Sequence, residues 1–402
     1  MGTGRPYGVW LINPSTEYIA GGPTKMELTG HLDVGGAALP TLLNMWHGSH
    51  YGGTSLNLQR DEEWSKVIGP FAIHFNQGGQ PMEMLKSAYG QATTERAAWP
   101  YPWLRHEAYP PPVSRGGIAG RLLIAETRSA AVSDGTIWVG LTLPEYSSRD
   151  RRIRDFIDWQ RDGKFYQYWT KARPDGSFSL KGVRPGTYLM RAFSDGVLGE
   201  FERPDITIES GTVRSVGEIK WTPERVGATL WEIGIPNRSA AEFRNGDRYW
   251  EWGNYLKFKT DFPKGVDYLV GKSDWRKDWH ICQPLDLSPS GKVLGNSTWK
   301  IRFPLHEVPS GGTRLRVAFC GSRHGSSLEL RLNGSGLANL PMPENGTMHR
   351  DSHRGMWSER SFDIPARQLR SGENVLEFIL NGTVWHQGVL YDYIRMEAHE
   401  NS

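Results

Sequence analysis

The sequence predicts an all-β protein made of several sandwich-like modules. Two observations carry this. Forty-seven glycines and 25 prolines cut the chain into short segments with turns between them. Within most segments apolar residues alternate at period two, the spacing of a strand with one face in a core, and long aliphatic runs are few. At 402 residues the chain is long enough for two or three such modules.

The first stretch, 1–109, holds GVWLINP, a Gly21-Gly22-Pro23 turn, the apolar run Pro40 to Trp46 and a strand-like WSKVIGPFAIHFN. It also holds the clearest exception to the β pattern. From Met82 to Trp99, residues Met84, Leu85, Ala88, Ala92 and Arg96 recur at helical spacing, and Pro100 stops the pattern. Pro110-Pro111-Pro112 reads as a stiff linker.

The second stretch, 113–221, is strongly β. Ile118, Leu122 and Ile124 open it, and Ile137, Val139, Leu141 and Leu143 alternate. Asp175-Gly176 and Pro185-Gly186 make turns around two strands whose inward residues are Phe178 and Leu180, then Tyr188, Met190 and Ala192. This is a small β-sandwich of the immunoglobulin-like or fibronectin-III-like class. Ser147 to Lys164, rich in Arg and Asp, reads as an inserted surface loop or short helix. The third stretch, 222–400, runs through LWEIGIP, WKIRFPL, TRLRVAFC, SLELRLNG, NVLEFILNG and GVLYDYIRMEA, with Gly and Asn at the turns. So many strands over this length fit a jelly roll of the carbohydrate-binding kind.

Composition excludes several functions. A net charge of +3 argues for neither nucleic acid nor a membrane surface, and no apolar run is long enough to span a bilayer. MGTGRPYGVWLINPSTEY lacks the basic-then-apolar order of a secretion signal. Cys282 and Cys320 form no CxxC pair, which speaks against zinc; their strand-like contexts favour two buried thiols over a disulfide. Sequons at Asn237, Asn296, Asn333, Asn345 and Asn381 matter only in a eukaryotic secretory route.

Seventeen tryptophans exceed ordinary use, and flat rings serve either as core anchors or as stacking surfaces for sugars. In WRKDWH, Trp275, Arg276 and Trp279 interleave aromatics with a cation, a pattern suited to an acidic sugar chain. The alternative is that both tryptophans pack the sandwich and Arg276 pairs with Asp278. Trp250 and Trp252 have the same two readings. Asp392 reads as the holder of a turn or of a structural Ca²⁺, and His74 as an ordinary strand residue. A glycoside hydrolase would need paired carboxylates; Glu17, Asp33, Asp61, Glu62 and Glu63 fall into no pairing motif.

Blocks along nearly the whole chain resemble the polysaccharide lyases that cleave rhamnogalacturonan I. They are GVWLINPSTEY with GGPTK, LLNMWHGSHYGG, KVIGPFAIHFN with AAWPYPW, RGGIAGRLLI, VRPGTYLMRAFSDGVLGEF, LWEIGIPNRSAAEFRNGD, VGKSDWRKDWHICQ and GVLYDYIRMEA. The resemblance implies three domains, with 1–109 as the last part of a catalytic β-supersandwich. It implies a secreted enzyme acting on rhamnogalacturonan I, with no cofactor needed for chemistry; nothing in the sequence demands more than a monomer. The first half of the catalytic domain and the family's catalytic lysine are expected upstream of Met1. GSHYGG matches the family's motif at its histidine, so His50 is the expected base, with Tyr51 supporting it or stacking on sugar. A neutral imidazole titrates near neutral pH, which suits proton abstraction. Lys25, in GGPTK, is placed to meet a substrate carboxylate, and Glu27 to hold a neighbouring cation. Outside the resemblance, His50 reads as a turn histidine, Tyr51 as a strand aromatic and Lys25 as a solvated turn lysine.

Overall fold

The computed structural model describes residues 6–24, 56–126, 135–147, 156–248, 253–323, 325–343 and 353–400. Strand is the dominant element, as the alternation predicts. No helix among the described residues is long and apolar enough to cross a membrane.

In the first stretch, β1 (Tyr7–Ile12) pairs antiparallel with β2 (Ala72–Gln77), with Val9 opposite Phe75 and Trp10 opposite His74. His74 is half-buried, and its Nε2 meets no hydrogen-bond partner. The predicted helix is α1 (Pro81–Ala98), which buries Met84 and Ala88. Proline opens it, where a missing N–H costs nothing, and Trp99 caps it with an N–H to Glu95 O.

The middle stretch is a two-sheet sandwich. Its strands are β3 (Gly116–Ile124), β4 (Ile137–Thr142), β5 (Tyr146–Ser147), β6 (Phe156–Ile157), β7 (Tyr168–Lys171), β8 (Ser177–Val183), β9 (Gly186–Ser194), β10 (Val197–Ile208) and β11 (Val213–Trp221). One sheet runs β10-β9-β4-β7 and the other β11-β3-β8, with β5 and β6 as a small ribbon outside both. Between the sheets lie Ile118, Leu122, Val139, Leu141, Phe178, Leu180, Tyr188, Met190 and Ala192, the residues whose alternation predicted them. Gly176 turns the chain at φ +83, and a Cβ there would come within 2.2 Å of Leu122 O, so only glycine fits.

One expectation needs correction here. The described part of the 147–164 insertion is not a surface loop. Trp159, Gln160, Arg161, Asp162 and Lys164 are all buried. Its polar residues close a turn instead of meeting water: Asp162 Oδ1 accepts from the Lys164 and Phe165 N–H groups and from Tyr146 Oη. The prolines before the sandwich are tied to it. Pro112–Ser114 forms a 3-10 turn, and Arg115 Nε donates to Pro110 O at 2.9 Å.

The last stretch is a second, larger sandwich. Its elements are β12 (Thr229–Gly234), α2 (Asn254–Asp261), β13 (Asp267–Leu269), α3 (Trp275–Asp278), β14 (Gln283–Pro284), β15 (Asp286–Leu287), β16 (Val293–Gly295), β17 (Ser297–Leu305), β18 (Thr313–Ser322), β19 (Ser327–Leu332), β20 (Ser335–Pro341), β21 (Ser358–Ile364), β22 (Gly372–Asn381) and β23 (Gly388–Ala398). One sheet is β12-β23-β18-β21 with β14 on β23; the facing sheet is β13-β17-β22-β19-β20. Strict alternation on β17 puts Trp299, Ile301, Phe303 and Leu305 inward, against Leu376, Phe378 and Leu380 of β22. Cys282 and Cys320 are buried free thiols, in line with their strand-like contexts. Leu198 of the middle sandwich packs with Ala318 and Tyr393 of the last one, with Trp357 against them.

Candidate functional site

The expected catalytic and carboxylate-binding residues, Lys25, Glu27, His50 and Tyr51, lie outside the described residues, as do Trp250, Trp252 and Asp33. The structure does describe both ends of the segment that carries the first four. At its start, Gly22 sits at φ +60 with its backbone on the indole rings of Trp159 and Trp169; a Cβ would come within 2.7 Å of Trp159. Just before it, Glu17 O accepts from Gln167 N at 2.9 Å. At its end, Asn57 Nδ2 donates to Ser147 O, Trp64 Nε1 to Lys164 O, and Glu62 pairs with Lys164. Lys66 Nζ donates to Gly163 O at 2.9 Å and Phe165 O at 2.7 Å. The described residues on either side of 25–55 are therefore fixed on the middle sandwich, at Ser147 and residues 159–169. Burial pushes the Lys66 ammonium down to about 8, against the opposing pull of the Asp162 and Glu17 charges.

Beneath that strip is a buried ion cluster. Glu17 Oε2 accepts from Arg115 Nη1 at 2.8 Å, and Glu17 Oε1 from Arg184 Nη2 at 3.2 Å. The Arg115 guanidinium lies over Trp99 at 4.8 Å and Tyr109 at 5.1 Å; that of Arg184 lies over Tyr166 at 3.8 Å. A carboxylate held this way accepts hydrogen bonds and is poorly placed to shuttle protons. Glu17 is thus a structural anion, and Glu62 is engaged by Lys164, which weakens a two-carboxylate hydrolase further.

In the last sandwich the three expected binding residues separate. Trp279 is fully buried. Its ring meets Trp299 at 4.9 Å, Tyr391 at 5.3 Å and Tyr268 at 6.0 Å, all edge-on. It is a core anchor and offers no face to a sugar. The cause is position: Trp279 ends the single turn α3 and points inward, while Arg276 points out. Trp275 is partly buried against the core, and the Arg276 guanidinium covers its ring at 4.0 Å. Arg276 pairs with Asp274 at 3.7 Å, not with Asp278. The surface therefore carries one stacked Trp–Arg unit.

Asp392 holds a turn. Its Oδ1 accepts from the backbone N–H groups of Asn237, Arg238 and Ser239 at 2.8–3.2 Å, and its Oδ2 from the Trp357 indole at 2.8 Å. Burial raises this carboxyl to about 6 despite those donors. No group of three or more His, Cys, Asp or Glu among the described residues is placed to hold a metal ion.

Comparison with known proteins places this architecture. Residues 137–216 match the family model for polysaccharide lyase family 4, domain II, and residues 229–396 match the CBM-like model for domain III of that family. The chain belongs to polysaccharide lyase family 4. The two matched domains coincide with the middle and last sandwiches. Relatives in the family include a rhamnogalacturonate lyase of Dickeya dadantii, 28% identical over 98% of this chain and 61% of its own length. A rhamnogalacturonate lyase B of Emericella nidulans is 25% identical over 98% of this chain and 64% of its own. A probable rhamnogalacturonate lyase B of Aspergillus niger is 26% identical over 76% and 43%. The chain thus spans about three-fifths of the length of the first two family members.

Proposed function

We propose that this chain acts in cleavage of the rhamnogalacturonan I backbone by β-elimination at C4 of galacturonate. The observation that carries the reading is the extent of the likeness. The Dickeya dadantii lyase aligns over 98% of the chain, so its match extends well beyond domains II and III into the stretch bearing His50. On this reading 1–109 is the last part of a catalytic supersandwich, and the protein is secreted, because its substrate is a wall polymer.

Elimination needs three things. The uronate carboxylate must be neutralised so that the C5 proton becomes acidic, which a point charge such as Lys25 supplies, with Glu27 holding a neighbouring cation. A base must take that proton, which neutral His50 does with Tyr51 beside it. The electron pair of the C5–H bond then forms the C4–C5 double bond while the C4–O bond breaks, and the departing oxygen is protonated. No step needs a cofactor. The Trp275–Arg276 unit suits binding of an acidic chain outside the reacting centre, by stacking and carboxylate pairing.

The second reading is a non-catalytic pectin-binding protein. It is favoured by the match of residues 229–396 to the CBM-like model for domain III. Mass analysis of rhamnogalacturonan I incubated with the chain separates the readings. Elimination gives non-reducing ends lacking one water relative to hydrolysis. Fragments carrying added water would refute the lyase reading, and intact polymer retained by the protein would favour the second.

A further inference from the structure

The middle and last sandwiches meet at a stack of flat groups. Arg238 belongs to the last one, in the turn after β12, and is 5% exposed. Its guanidinium lies over the Phe193 ring of β9 at 3.9 Å and over the Trp357 ring at 4.3 Å. Phe193 in turn stacks on Trp159, with centroids 5.9 Å apart and planes at 12°. The backbone of Gly22 rests on that same Trp159 ring.

A shared carboxylate ties the stack together. Glu200 of β10 accepts from Arg238 Nη2 at 2.7 Å through one oxygen. Through the other it accepts from Trp159 Nε1 at 3.1 Å and Arg191 Nη1 at 2.7 Å. The Trp159 ring is thus held at its edge by Glu200 and at its face by Phe193. A planar guanidinium can pair with a carboxylate and stack on rings at once, which an ammonium cannot.

The turn that delivers Arg238 is held under strain. Arg238 stands at φ +64, a left-handed conformation that a residue with a side chain adopts at a cost. The N–H groups of Asn237, Arg238 and Ser239 converge on Asp392 and keep it there. Docking of the two sandwiches does not depend on Arg238 alone. Gln160 exchanges two hydrogen bonds with Trp357, and Arg225 pairs with Glu126 at 3.1 Å. What Arg238 adds is a hold on the Glu200, Phe193 and Trp159 group beneath Gly22.

We propose that Arg238 is a positioning residue. From the last domain it fixes Trp159, and through Trp159 the residues 17–22 that lead into 25–55, the segment in which His50 stands in the sequence. The link to catalysis rests on the elimination proposed above; the link to residues 17–22 does not. On this account the CBM-like domain bears on turnover, and not only on the hold on polymer.

Hydrogen exchange and steady-state rates of the intact chain, with Arg238→Ala and Arg238→Lys, test this. Exchange of peptides covering 15–24 is expected to quicken on the order of tenfold in Arg238→Ala, while that of α1 stays as in wild type. The kcat for unsaturated-uronate formation should fall on the order of tenfold, with KM within about twofold, the pattern of lost orientation and not of lost binding. Arg238→Lys keeps the charge facing Glu200 without the flat stack and should recover part of both. Circular dichroism of each variant controls for folding; where Arg238→Ala does not fold, Phe193→Leu interrupts the stack without removing a charge and gives the same readouts. Unchanged exchange of 15–24 in a folded variant overturns the proposal, as does quickened exchange with unchanged kcat. If wild type forms no unsaturated product, the elimination reading falls, and quickened exchange of 15–24 still supports Arg238 as the residue that fixes them.

Discussion

Replacing Glu17 by Ala is expected to cost roughly 3–5 kcal/mol of stability, the largest loss of any single change outside the cores. The side chains of Glu17 and Arg115 are 2% and 1% exposed, so removing the carboxylate leaves a guanidinium buried without its counter-charge. Arg115 keeps only Pro110 O and Gly182 O as acceptors, and Arg184 keeps Ala108 O. Carbonyls satisfy N–H groups but do not neutralise charge. Glu17→Gln keeps the shape and should lose less. Urea denaturation, with hydrogen exchange of peptides 7–24 and 108–118 to locate the change, measures both. A loss under about 1 kcal/mol for Glu17→Ala would mean that water reaches the cluster and screens it.

His280 is expected to make the last sandwich lose stability in acid. The imidazole is 0% exposed; its Nδ1 lies 2.9 Å from Cys282 O, and Phe258 and Phe262 stand edge-on to the ring. Burial pushes it down to about 4, so the folded protein keeps it neutral where the unfolded chain takes up a proton. Between pH about 6.5 and about 4 the unfolded state therefore binds more protons, and stability falls as pH falls through that window. At about 1.4 kcal/mol per unit, the full loss is roughly 3 kcal/mol. His353, also pushed to about 4 by burial, acts in the same direction. Asp392, raised to about 6, and Glu242 and Glu359, both raised by burial, oppose them, because each gains its proton more easily in the fold. The clean comparison is the pH dependence of unfolding in wild type and His280→Phe. The variant's curve should be flatter between pH 7 and 4.5; parallel curves would show that His280 is protonated within the fold.

Period-two alternation made the sandwiches legible. Phe178 and Leu180, and Tyr188, Met190 and Ala192, face inward as their spacing requires. The helix at Pro81–Ala98 was legible for the converse reason, a run at helical spacing bounded by prolines. What composition hid was burial driven by distant partners. Arg161 and Asp162 look like solvated residues, yet that segment is locked across the domains: Gln160 Nε2 donates to Trp357 O at 3.0 Å, and Gln160 Oε1 accepts from Trp357 N at 2.7 Å. No local pattern announces a partner 197 residues away. Trp275 and Trp279 sit four apart in similar company, and only the end of α3 decides which one enters the core. The middle sandwich also holds the residues that flank 25–55, Gly22 at one side and Asn57, Trp64 and Lys66 at the other, contacts that no local pattern announces.

The central claim is that this chain takes part in uronate elimination with His50 as the base. It is tested most directly by following the absorbance of unsaturated uronate as the chain meets rhamnogalacturonan I, beside His50→Ala of the same chain. The account predicts a rise for the wild type and its loss on the order of 100-fold or more in the variant, the usual scale for removing a general base. An equal rise in both would contradict the assignment of His50, and no rise in either would contradict elimination by this chain.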